Sequence, residues 1–130
     1  MKIETILTCL FLLLISTACQ KEKRTKVEVV DYSTHVEWVW VNGYRDHWRA
    51  CCDGRVSNVS EVIAYSVTAH VSLRAGGRTW QLSTLIGKVN LQPGEIGSFS
   101  CGGDSVRLDE GEYPPPDSAA HASVSVSWRR

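Results

Sequence analysis

From Ile63 to Leu73 the chain alternates with a period of two. The odd positions carry Ile63, Tyr65, Val67, Ala69, Val71 and Leu73, and the even ones Ala64, Ser66, Thr68, His70 and Ser72. Successive side chains of a strand point to opposite faces, so this pattern gives one buried face and one wet face. A helix would scatter the same residues around its circumference. The last segment repeats the pattern, with Ala122, Val124, Val126 and Trp128 between Ser123, Ser125 and Ser127. Two such segments commit the chain to an all-β fold.

The rest of the chain supplies further strands and the turns between them. Val27 to Tyr32 and Val36 to Val41 are rich in β-branched and aromatic residues and read as two strands. Asn42-Gly43 has the composition of a type I′ hairpin turn. Trp48 to Ser57 follows as a strand, and Asn58 to Glu61 as a turn. Gly76-Gly77 leads into a strand at Arg78 to Leu85. Val89 and Leu91 are placed on a continuing or bent strand. Pro93-Gly94 turns the chain into Ile96 to Cys101. Gly102 to Ser118 reads as a long polar loop stiffened by Pro114, Pro115 and Pro116. About seven short strands with turns between them predict an antiparallel immunoglobulin-like β-sandwich, with a small antiparallel barrel as the alternative.

The amino terminus has a different character. Ile6 to Ile15 is apolar except for Thr8, too short for the roughly 20 residues that span a bilayer. With Lys2 before it and Ser16, Thr17 and Ala18 after it, the stretch fits a secretory signal. Cys19 follows at once. The string resembles a bacterial lipoprotein signal peptide ending in a lipobox, although Ser16 stands where that pattern prefers an aliphatic residue. The resemblance implies cleavage before Cys19 and acylation of its thiol. Plain secretion, with Cys19 incidental, and an uncleaved anchor are the alternatives. The organisation expected is residues 1–18 as signal, 19–26 as a polar lipidated tether and 27–130 as one domain. It places the chain at a cell membrane or outer membrane, facing the periplasm or the exterior.

Composition narrows the function further. Lys and Arg together number 14, as do Asp and Glu, and no basic stripe interleaves with aromatics. Nucleic-acid binding is therefore not expected. The roughly 110 residues after the signal suffice for one core.

The middle of the chain, from Gly54 to about Phe99, resembles the FxLYD-type immunoglobulin-like sandwich of bacterial envelope proteins. The resemblance rests on Gly54-Arg55-Val56-Ser57-Asn58, on the long strand after it, on Gly76-Gly77, and on Leu91-Gln92-Pro93-Gly94-Glu95 followed by Phe99. Val71-Ser72-Leu73-Arg74-Ala75 occupies the place of the signature string, and only Leu73 agrees with it. The resemblance implies a binding or structural module without catalysis.

Few residues suggest chemistry. His35, His47, His70 and His121 lack ligand spacing along the chain and read as solvated, though a site assembled across strands stays open. Asp104, Asp109, Glu110, Glu112 and Asp117 read as a solvated loop. No Gly-x-Ser-x-Gly elbow or phosphate-binding loop occurs. No catalytic residue, metal or cofactor is expected. Trp38 and Trp40 are the candidates for an exposed ligand-binding platform, and Trp80 and Trp128 are expected in the core. Cys52 shares parity with Trp48, Ala50 and Val56, and Cys101 with Phe99, so these two inward cysteines are expected to form a disulfide in an oxidising compartment. Cys51 would then be an exposed thiol. A vicinal Cys51–Cys52 bridge and three free thiols are the rivals. The expected function is a lipid-anchored, non-enzymatic envelope protein that presents a β-sandwich to an envelope partner. The alternatives are a periplasmic inhibitor or immunity-type lipoprotein and a glycan-binding module.

Overall fold

The computed structural model describes residues 24–130. The expected signal peptide, Cys19 and most of the expected tether lie outside them. Seven strands make two antiparallel sheets: β1 (Val27–Val41), β2 (Tyr44–Asn58), β3 (Tyr65–Ala75), β4 (Arg78–Leu85), β5 (Ile96–Gly102), β6 (Val106–Arg107) and β7 (His121–Arg129). One sheet has the order β1-β2-β5, with β6 also paired to β2; the other has the order β4-β3-β7. The sheets do not close into a barrel. An immunoglobulin-like sandwich gives the same orders to its A-B-E strands and to its C′-C-F strands.

Alternation builds the core between the layers. In β3, Val67, Ala69, Val71, Leu73 and Ala75 face inward and are buried. In β2, Trp48, Ala50, Cys52 and Val56 meet them, and Phe99 joins from β5. Trp48 and Trp80 touch edge to face across the layers, with ring centroids 6.2 Å apart. Gly54 is required here, because a Cβ would lie 2.4 Å from the Phe99 ring and 2.7 Å from the Asp31 carbonyl. Trp80, Val126 and Trp128 are half-buried, since β4 and β7 are the edges of their sheet.

Several expectations are corrected. Val27–Val41 is one strand of 15 residues rather than two. The polar Ser33, Thr34 and His35 between the two expected strands continue the ladder opposite Asp53, Cys52 and Cys51, and the register shifts lie elsewhere, one between Val29 and Asp31 and one between Val39 and Val41. The first leaves Val30 of β1 in a bulge, and the second sets Arg45 and Asp46 of β2 opposite the single Trp40. Tyr65 is exposed although its parity matches Val67, because Ser66 adopts φ +48° and shifts the register of β3 against β7. Leu91 forms a lone bridge to Ala64 rather than a strand. The segment read as a long polar loop contains β6, whose Val106 packs against the core. The Asn42-Gly43 turn is type I′, with φ +51° and +81°.

Candidate functional site

Two surfaces gather residues that could act. The first is the end of the β1–β2 hairpin. Val41 pairs with Tyr44 across the two-residue turn, and Trp40 stands opposite the β2 bulge of Arg45 and Asp46. Trp40 is 67% exposed and Tyr44 71%. Trp38 does not share this exposure. It faces Trp48 across the ladder, is half-buried, and is covered by the Arg45 guanidinium 4.8 Å from its ring centre. The open aromatic surface is therefore Trp40 with Tyr44, and Tyr44 was not singled out in the sequence. Beside it a shallow cleft of about 450 Å³ is lined by Trp48, Arg78, Tyr113 and Pro115. Tyr113 is 83% exposed.

The second surface is the outer face of β1 and β2. The pairing sets Glu37 opposite Arg49, His35 opposite Cys51 and Ser33 opposite Asp53. The Arg49 Nε donates to Glu37 Oε1. His35 Nε2 lies 3.5 Å from Glu37 Oε2, and His35 Nδ1 lies 3.4 Å from Asp53 Oδ2. The Ser100 hydroxyl, from β5, donates to Asp53 Oδ1. Cys51 points outward as its parity requires, yet it is only 6% exposed, because this layer of side chains covers it. Burial, and then the Glu37 carboxylate, push its thiol up to about 11. The Arg49 guanidinium holds the Glu37 carboxyl below its ordinary range. Ligand atoms of His35, Glu37 and Cys51 all lie within 4.8 Å of one another, the only such group found among the described residues.

The sequence carried a weak signal for this cluster. His35-x-Glu37 occupies one face of one strand, but the partner across the hairpin depends on the bulge in β2 at Arg45 and Asp46. An unbroken register from the turn would set His35 against Ala50. The one-residue slip sets it against Cys51 instead.

The remaining candidates separate. His70 bridges β4 and β7 on the other outer face, 2.9 Å from Ser83 Oγ and 2.7 Å from Ser127 Oγ. His47 contacts its neighbour Asp46 at 2.7 Å. The acidic residues of the 104–117 segment do not converge, and Asp117 accepts the Val36 N–H at 2.7 Å. Cys52 and Cys101 face each other in the β2–β5 register. The Gly103 N–H donates to the Ala50 carbonyl and the Asn58 N–H to that of Glu95, so by the period of two Cys52 and Cys101 are a hydrogen-bonded pair. Such pairs have Cα atoms about 5.5 Å apart, within the span of a disulfide. Both are thiols in the structure, with Cys101 Sγ 3.7 Å from the Cys52 carbonyl oxygen.

No family model, no curated protein and no solved structure matches the chain. Among the described residues no helix is long and apolar enough to cross a membrane.

Proposed function

We propose that this chain is a lipid-anchored, non-enzymatic protein of the bacterial envelope, whose sandwich binds an envelope partner through the β1–β2 hairpin end. The supporting observation is the direction of the long axis. The chain enters the domain at Lys26, whose carbonyl accepts the Val59 N–H at 3.0 Å. The Asn42-Gly43 turn lies at the far end of the same 15-residue strand, roughly 45 Å away at about 3.3 Å per residue. An acylated Cys19 at one end leaves Trp40, Tyr44 and Tyr113 facing away from the bilayer. Exposed aromatics concentrate binding energy at interfaces. A second reading, glycan recognition, is favoured by the open Trp40 ring.

The test is affinity capture from solubilised envelope with the intact protein and with Trp40→Ser/Tyr44→Ser. The reading predicts a partner retained by the parent and lost in the variant while the melting temperature is unchanged. Equal capture by both would exclude the tip. Retention of purified cell-wall glycan instead of a protein, with the same loss, would select the second reading.

The proposal includes a disulfide between Cys52 and Cys101, formed as two thiols give up two protons and two electrons to the oxidant of the export compartment. It closes a loop of roughly 50 residues and stabilises by about 4 kcal/mol in the chain-entropy model. Non-reducing peptide mapping is expected to recover the two cysteines in one linked pair. Cys101 recovered as a free thiol from the exported protein would refute it.

A further inference from the structure

The outer-face cluster has no part in the tip or the anchor, and its chemistry points elsewhere. We propose that His35 Nε2, Glu37 Oε2 and Cys51 Sγ bind a divalent cation of the zinc class, with Asp53 and Ser100 as its supporting shell. The donor set is the first argument. An imidazole, a thiol and a carboxylate suit zinc, whereas calcium and magnesium require oxygen ligands throughout. Spacing is the second. Donors about 2.0–2.2 Å from a tetrahedral ion stand roughly 3.4 Å apart, and His35 Nε2 and Glu37 Oε2 are separated by 3.5 Å.

The supporting shell is the third argument. Zinc-bound histidines commonly pass their second ring N–H to a carboxylate, which fixes the tautomer and turns the other nitrogen to the ion. Asp53 occupies that place at 3.4 Å from His35 Nδ1, and Ser100 in turn holds Asp53. Glu37 is divided likewise: Arg49 takes Oε1 and leaves Oε2 towards His35. Charge also closes. Glu37, Asp53 and a Cys51 thiolate balance Arg49 and a dication. Gly102 opposite Cys51 leaves the sulfur free, where a Cβ would stand 3.2 Å from it. Three protein donors on a face where the His35 and Glu37 side chains are 38% and 36% exposed leave the fourth position to solvent. On binding, the Cys51 S–H bond breaks, its electron pair goes to the ion and its proton to water.

The test uses the purified protein, stripped with chelator and titrated with Zn²⁺ and with Co²⁺ as a spectroscopic stand-in. The expected result is one equivalent of Zn²⁺ bound per chain, a rise in melting temperature with Zn²⁺, and a thiolate-to-cobalt charge-transfer band. Cys51→Ser should abolish the band and His35→Gln should weaken Zn²⁺ binding at least tenfold. Asp53→Asn should weaken it by about 10–100-fold, the usual cost of losing an outer-shell partner. Cys101→Ser should change neither. Absence of the band in the parent protein would overturn the proposal without reference to any variant. So would its persistence in Cys51→Ser, which would assign the sulfur ligand to another cysteine.

Discussion

Leu73→Ala is expected to lower the stability of the domain by about 3–5 kcal/mol, and Ser72→Ala to leave it nearly unchanged. Leu73 is fully buried in the central strand of its sheet, flanked by Trp80 on β4 and Ala122 on β7. Removing its isobutyl group loses the transfer free energy of the side chain and leaves a cavity that two neighbouring strands prevent from collapsing. A small domain has about 5–15 kcal/mol in all, so the substitution should appear as a large drop in the midpoint of urea unfolding. Ser72 lies on the wet face, where its hydroxyl accepts from the Gln81 amide at 3.1 Å. An exposed bond of that kind contributes little. Equal effects of the two substitutions would mean that the faces of β3 are assigned the wrong way round.

Asn58→Ala is expected to cost about 3 kcal/mol although it removes a polar residue. Asn58 is fully buried at the end of β2. Its Nδ2 donates to the Val62 carbonyl at 2.7 Å and to the Leu91 carbonyl at 2.9 Å. Its Oδ1 accepts from the Ser60 N–H at 3.0 Å and from the Ser60 hydroxyl at 2.6 Å. One side chain thus ties the turn after β2 to the segment that leads into β5. Alanine removes all four bonds: the Leu91 carbonyl keeps the Ala64 N–H and the Val62 carbonyl the Ser60 hydroxyl, but the Ser60 N–H loses its acceptor, and each lost bond is worth about 0.5–1.5 kcal/mol. Asn58→Asp separates hydrogen bonding from shape. It keeps the volume and loses the donor, setting a carboxylate oxygen against two carbonyls, so it should destabilise at least as much as alanine in thermal melts. A neutral Asn58→Asp would show that packing, not donation, is the role of this residue.

The inner faces were legible where strands stay regular. Val67 to Leu73 alternate as the sequence implies, Cys52 and Cys101 point inward at one register position, and Asn42-Gly43 makes the turn its residues favour. The failures share a cause. Bulges at Val30 in β1 and at Arg45 and Asp46 in β2, and the left-handed Ser66, each slip the pairing by one residue. A slip of one exchanges the faces of a strand, and no residue type announces it. Parity groups Trp40 with Trp38, yet Trp40 beside the hairpin turn is open to solvent while Trp38 is covered by Arg45. Because of the slip in β2, His35 and Glu37 give no hint of Cys51. By its sequence Asn58 reads as a turn former, the common role of asparagine. Its burial follows from Leu91 and Glu95 folding back over it, a contact 33 residues away along the chain for Leu91.

The proposed anchor at Cys19 would determine which end of the sandwich faces outward, so it is the central claim. Its most direct test is the mass of the amino-terminal peptide of the mature protein extracted from membranes. The account predicts a peptide that begins at Cys19 and carries a diacylglyceryl group. Two or more acyl chains, at about 0.8 kcal/mol per buried methylene, hold a protein stably in a bilayer. A chain that begins at another residue, or a Cys19 with the mass of an unmodified thiol, would contradict it.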